Sequence, residues 1–121
     1  MPAPRHFPRH LLSAVLILAV VMVGLAGPAT AHGTRWRCLA HYESGHRWHI
    51  NSGNGHYGGL QFTRSTWRYY GGRALTGKVY PHRASRKNQI RIGRRTAWYG
   101  WRDHQPQGGY NAWPNTWGRC F

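Results

Sequence analysis

The 121-residue sequence predicts a small α+β domain behind an N-terminal export leader, and three observations carry that prediction. Trp36, Leu39, Ala40 and Glu43 fall at i, i+3, i+4 and i+7, so they share one face of a helix. Asn54-Gly55, flanked by Trp48-His49-Ile50 and His56-Tyr57, has the signature of a tight β-hairpin turn. Two cysteines, Cys38 and Cys120, stand near the two ends of everything that follows the first apolar run.

The leader reads in order. Arg5, His6, Arg9 and His10 form a basic start, Leu11 to Ala26 an apolar run, and Gly27-Pro28 a break before the A-x-A site Ala29-Thr30-Ala31. The apolar run falls short of the roughly 20 residues of a spanning helix, so an uncleaved anchor is the second choice. Residues 1–31 are thus expected to be a secretory signal peptide and 32–121 the mature domain, secreted or held at the cell wall. A chain of that size supports one thin core. In an exported protein an even cysteine pair reads as a disulfide, Cys38 to Cys120.

Charge is lopsided. Seventeen Lys and Arg face two carboxylates, Glu43 and Asp103, and with Arg5 and Arg9 in the leader the mature domain carries +13. Such a field favours polyanions, for an exported protein wall polymers, anionic lipid surfaces or extracellular nucleic acid, unless the arginine bias only aids solubility. The scarcity of carboxylates decides more: carboxylate-rich metal sites are excluded by count, and a two-carboxylate glycosidase would have to use both Glu43 and Asp103.

The first helix is expected over Arg35 to Ser44, capped by Thr34 and stopped by Gly45. Glu43 then lies in line with the apolar stripe and in the last turn, where lost hydration and the negative end of the helix dipole both favour a neutral acid. Thr63 or Ser65 caps a second helix through about Tyr70, closed by Gly71-Gly72. Residues 73–84 read as a loop. Ser85 caps a third helix to about Tyr99, with Ile90, Gly93, Ala97 and Trp101 as its apolar stripe and Lys87, Arg91, Arg94 and Arg95 as a basic face. The tail from Asp103 to Phe121 reads as irregular and pinned by Cys120. The expected architecture is about three helices, one β-hairpin and a disulfide-pinned C-terminal tail.

The stretch Glu43-Ser44-Gly45-His46-Arg47-Trp48-His49-Ile50-Asn51-Ser52-Gly53-Asn54-Gly55-His56-Tyr57-Gly58-Gly59-Leu60-Gln61-Phe62, with Ser65-Thr66-Trp67, resembles the resuscitation-promoting factor domain of secreted, mainly actinobacterial proteins. Looser matches follow at Tyr70-Gly71-Gly72, Ala84-Ser85-Arg86, Gln89-Ile90, Gly100-Trp101 and Ala112-Trp113-Pro114. The resemblance implies a small lysozyme-like fold related to lytic transglycosylases. It also implies cleavage of the β-1,4 bond between N-acetylmuramic acid and N-acetylglucosamine in peptidoglycan, with Glu43 at the catalytic position. Ser52 stands where the family usually has Thr, and Gln61 matches a glutamine of the glycan groove. Trp48, Asn54, Tyr57, Trp67 and Trp113 complete the candidate substrate-binding set, each aromatic serving equally well in packing or sugar stacking.

Two departures accompany the resemblance. Where the family has cysteines, this chain has Tyr42 and Thr116, and its own Cys38 and Cys120 are each displaced by four residues, about one helical turn. Residues 102–111 read as an insertion. His41, His46, His49 and His56 lack a zinc-ligand spacing, so neither a metal nor a cofactor is expected. The expected partner is the peptidoglycan glycan strand, bound by a monomer, with no nucleic acid. The chief alternative is a non-catalytic cationic wall-binding or antimicrobial protein, which would account for the charge and the tryptophans but not for Glu43.

Overall fold

The protein is described by a computed structural model covering residues 2–3 and 28–121, of which 28–32 by backbone alone. The expected leader therefore lies almost entirely outside the described residues. Helix α1 runs Pro28–Ser44, longer than the spacing of its apolar residues suggests. Pro28 at the first helical position has φ preset and gives up no helical hydrogen bond, so the helix starts there and Thr34 lies inside it instead of capping it. Gly45 ends the helix as expected, with φ 62°.

Short helices follow: α2 (Arg64–Tyr69), α3 (Gly72–Thr76) and a 3₁₀ turn (Pro81–Arg83). Thr63 caps α2, its hydroxyl accepting from the Thr66 amide at 3.2 Å. The segment expected to be loop folds into α3 and the 3₁₀ turn because left-handed glycines, Gly71 and Gly77, bracket the first and Pro81 starts the second. Helix α4 (Arg86–Arg94) is capped by Ser85 and passes into a π-helical turn, Arg95–Tyr99. The tail is not irregular throughout, for it contains α5 (Gly109–Ala112) and α6 (Trp117–Cys120).

Around Asn54-Gly55 the chain reverses, yet among the described residues no strand forms. Single antiparallel bridges join Asn51 to Tyr57 and Tyr57 to Phe62. The local chemistry explains the short pairing. Asn51 Oδ1 accepts from the Gly53 amide at 3.0 Å and Asn54 Oδ1 from the His56 amide at 3.2 Å, so side chains satisfy amides that a ladder would use.

The core centres on Trp36. Its ring meets those of Trp98, Trp113, Trp117 and Phe121 edge-on, with centroids 5.1–5.9 Å apart. On α4 and the π turn the buried face is Gln89, Ile92, Gly93, Thr96 and Ala97: of the expected stripe Gly93 and Ala97 are buried, while Ile90 and Trp101 are only half-buried. Gly93 is required by contact: a Cβ there would lie 2.6 Å from the Trp36 ring. The Cys38–Cys120 disulfide ties α1 to α6 across 82 residues of sequence. None of the helices among the described residues is long and apolar enough to cross a membrane.

Replacing both cysteines with serine is expected to destabilise the domain by about 4 kcal/mol, because the unfolded chain regains the entropy of an 82-residue loop. Thermal unfolding should show a midpoint at least about 15 °C lower, and reduction of the native protein should produce the same shift.

Candidate active site

Helix α1 delivers its apolar face as expected. Trp36, Leu39 and Ala40 are fully buried, and Glu43 is half-buried at the end of the same stripe. The Thr116 hydroxyl donates a hydrogen bond to Glu43 Oε1, joining the end of α1 to the tail. Thr116 in turn closes a turn onto Trp113, its amide donating to the Trp113 carbonyl at 3.3 Å. Thr116 occupies the position where the family resemblance would place a cysteine. With the disulfide moved about one turn away, a hydroxyl stands beside the carboxylate.

The loop after α1 is held from two sides. Ser44 Oγ lies 2.9 Å from the Gly59 carbonyl and accepts from the Arg47 amide at 3.1 Å. The Gly59 amide donates to Gln89 Oε1 at 2.9 Å. Gln89 Nε2 donates to the carbonyls of Trp48 at 2.7 Å and Ala84 at 3.0 Å. A fully buried glutamine thus has its main hydrogen-bonding capacity filled, and both backbone groups of Gly59 are engaged.

Two residues beyond, Gln61 sits at φ 55°, a left-handed conformation uncommon for a residue with a Cβ. Ser52 Oγ donates to Gln61 Oε1 at 2.8 Å, and Gln61 Nε2 donates to the Gly58 carbonyl at 3.0 Å. Gln61 lines a cavity of about 110 Å³ with His56, Thr63, Gln107 and Trp113. The structure therefore brings Ser52, Gln61 and Trp113 together, and the turn that carries Trp113 also carries the residue clasping Glu43.

The other candidates are placed differently. Trp67 is fully buried and donates from Nε1 to the Lys78 carbonyl at 2.9 Å, so no ring face is left for a sugar. Trp113 is almost buried, stacked on Trp117 and bonded to the Leu60 carbonyl at 2.8 Å, and reaches the cavity only by its edge. Trp48 is half-buried over Gly59, where a Cβ would lie 2.3 Å from its ring. Tyr57 stacks on His82 at 5.4 Å, and Asn54 is exposed and spends its carbonyl on the turn. Packing explains most of these aromatics. Sequence reasoning passed over Thr116 and Ser44 as site-building residues, and the only signal for Thr116 was its standing in a cysteine's place.

Asp103 lies elsewhere, lining a cavity of about 780 Å³ that shares no lining residue with the Gln61 cavity. The Tyr69 hydroxyl donates to Asp103 Oδ2, and the Gln105 amide donates to Oδ1 at 3.0 Å. The Tyr69 bond first, and the amide second, hold the Asp103 carboxyl below the usual carboxylate range, while the same bond pushes the Tyr69 phenol up. A depressed carboxyl contributes stability above its unfolded value near 3.8 and loses it as pH falls through the folded value. The raised phenol contributes below 10.0 and loses its part as pH rises through its own folded value. Asp103→Asn should therefore lower the thermal midpoint at neutral pH, with the difference from wild type vanishing once the wild-type carboxyl is protonated. Melting curves across the acid range would check this.

With this geometry, comparison with known proteins gives a consistent answer. A family model described as a transglycosylase-like domain matches residues 30–116. Resuscitation-promoting factor Rpf1 of Corynebacterium glutamicum is 37% identical over 109 residues, 89% of this chain and 51% of that protein. Resuscitation-promoting factor Rpf of Micrococcus luteus is 36% identical over 111 residues, 91% of this chain and 44% of that one. Resuscitation-promoting factor RpfE of Mycobacterium tuberculosis is 47% identical over 62 residues, 51% of this chain and 33% of its own length. The chain spans about half or less of the length of these relatives. The clasped glutamate at the end of α1 and the glutamine-lined cavity sit within the matched region, and the chain belongs to the transglycosylase-like domain family.

Proposed function

We propose that this protein is an exported enzyme that cleaves the β-1,4 bond between N-acetylmuramic acid and N-acetylglucosamine in peptidoglycan, as a lytic transglycosylase with Glu43 its single catalytic acid. The observation that carries the reading is Glu43 itself. One of two carboxylates in the chain, it is half-buried at the end of an apolar helix face and clasped by Thr116. Its relatives' names support resuscitation as the role, which a wall-cleaving enzyme would serve by remodelling the cell wall. Residues 1–31 act as the leader, and cutting after Ala31 removes only the first turn of α1, well before Trp36.

In this mechanism Glu43 gives its proton to the glycosidic oxygen, the bond from that oxygen to the anomeric carbon breaks, and positive charge develops on the muramyl ring. The muramyl 6-hydroxyl then attacks the anomeric carbon and returns its proton to Glu43, leaving a 1,6-anhydro sugar. No second carboxylate takes part. That suits a chain whose other carboxylate, Asp103, is engaged by Tyr69 and Gln105 beside a different cavity. Ser52 and Gln61 serve as glycan contacts at the cavity edge, Gln61 being held for that role by its two side-chain bonds. The competing reading, a cationic wall-binding protein without catalysis, is favoured by the arginine-rich surface but leaves the Glu43–Thr116 pair without a purpose.

Mass spectrometry of fragments released from purified peptidoglycan tests the proposal. The wild type should release anhydromuramyl ends, and Glu43→Gln should lower the rate by at least about 10³-fold. Ordinary reducing ends would mean hydrolysis instead, and no fragments from a wild type that still binds the wall would overturn the enzyme reading. Thr116→Val, which keeps the shape and removes the hydroxyl, should lower turnover about tenfold with little change in KM, because the carboxyl is no longer held in one orientation.

A further inference from the structure

A cavity of roughly 780 Å³ lies apart from the one beside Gln61. Arg68 from α2, Arg73 from α3 and Arg102, next to Trp101, line it, with Tyr69 and Trp101 as aromatic walls. All three guanidinium side chains are exposed. The one carboxylate among them, Asp103, is already engaged by Tyr69 and the Gln105 amide. With seventeen cations against two carboxylates in the chain, no internal partner can neutralise such a basin.

Its aromatic wall is built to stay in place. Trp101 lies over Gly71, where φ is 82° and a Cβ would meet the ring at 2.6 Å. Arg102 and Arg95 stand over the same ring, 4.4 and 5.7 Å from its centroid. Arg95 is anchored in turn to the Tyr70 carbonyl at 3.1 Å. A cation-flanked aromatic plate beside further guanidiniums suits a ligand that alternates anions with sugar or polyol units. Guanidinium forks bind phosphate oxygens in pairs, and the exposed Tyr69 ring can pack on the carbon skeleton between them.

The basin also has a neighbour on the side of the Gln61 cavity. Tyr69 and Ser65 line both the basin and a neighbouring cavity of about 300 Å³. Thr66 and Gln107 line that cavity and the Gln61 cavity as well. The basin and the Gln61 cavity are thus separate, with one smaller cavity between them that shares wall residues with each.

We propose that this basin is a second binding site, which takes a phosphodiester-linked sugar or polyol polymer carried on the same glycan strand that occupies the Gln61 cavity. The occupant is chosen by three features together: arginines from separate elements match a repeating anion, the aromatic wall matches its neutral units, and one intervening cavity separates the basin from the Gln61 cavity. The inference rests on the glycan-cleaving reading for the identity of that strand. It adds a choice among walls: strands bearing the polymer are captured in preference to bare ones.

Binding to purified cell walls, with and without removal of phosphodiester polymers by cold hydrofluoric acid, tests the site. A Glu43→Gln background reads binding without cleavage. The basin variant combines Arg68→Gln, Arg73→Gln and Arg102→Gln. A charge-matched control combines Arg37→Gln, Arg86→Gln and Lys87→Gln, all exposed and outside the basin. The parent should bind untreated walls at least about tenfold more tightly than stripped ones, the worth of one charge-assisted hydrogen bond. The basin variant should lose that preference and the control keep it. Equal binding to both walls, equal loss in the control, or displacement by DNA or anionic lipid vesicles in preference to the free polymer would overturn the proposal. With Glu43 restored, the basin variant should still cleave stripped walls. A protein that prefers polymer-bearing walls but cuts neither kind would sink the catalytic reading alone, and one that cuts both without preference would sink the basin alone.

Discussion

The burial of Trp36 is the constraint on which the rest depends. A domain of this size has too few residues for a layered core, so one large ring takes the centre and everything else is placed by contact with it. Four aromatic rings meet it edge-on, three of them from the last nine residues of the chain. That is why α1 and the tail must be brought together, and the disulfide between Cys38 and Cys120 fixes this pairing covalently. The arrangement has a cost: Trp36 Nε1 is buried with no hydrogen-bond partner in the structure, a loss of about 1–3 kcal/mol that ring packing has to offset. Because α1 is held by Trp36 on one side and stapled at Cys38, its last turn is rigid where Glu43 leaves it.

Much of this was legible in the sequence, and the legible parts have one property in common: they are written in residues close together along the chain. The face shared by Trp36, Leu39, Ala40 and Glu43, the stop at Gly45 and the caps at Thr63 and Ser85 all follow from spacing within one helix. The staple between Cys38 and Cys120 was readable because there were only two cysteines. What escaped depends on partners far away in sequence or on polarity at unexpected places. The buried face of α4 and the π turn carries Gln89 and Thr96, two polar residues that no search for apolar period selects. They are buried because Gln89 bonds to Gly59, Trp48 and Ala84, and Thr96 to the Ile92 carbonyl. The expected hairpin shows only single bridges for a related reason, since Asn51 and Asn54 bond to their own turn. In the candidate site, Glu43 and Gln61 could be picked from the sequence, whereas Thr116, 73 residues from Glu43, could not be paired with it.

The cations are spread over the molecule. Arg35 and Arg37 lie on α1, four arginines on α4 and its π turn, and Arg119 of α6 over the Tyr42 ring, while Arg68, Arg73 and Arg102 line the basin. Of the two side-chain carboxylates, Glu43 is clasped by Thr116 at the end of α1, whereas Asp103, bonded by Tyr69 and the Gln105 amide, ties the segment after Gly100 to α2, a mechanical use of a carboxylate.

The π-helical turn at Arg95–Tyr99 has a consequence for how the segment after it can vary. It takes one more residue per hydrogen-bonded loop than an α-helical turn, so it shifts the phase of the chain by about 100°. That shift carries the chain through Gly100 so that the segment after it folds back and the Gln107 and Gly108 amides both reach the Thr96 carbonyl, at 2.9 and 3.1 Å. The turn acts as a gear between a helix whose register the core dictates and a segment bonded to the end of α2 through Asp103 and Gln105. A single residue lost inside the π turn would rotate Trp101 off Gly71 and draw Arg102 out of the basin.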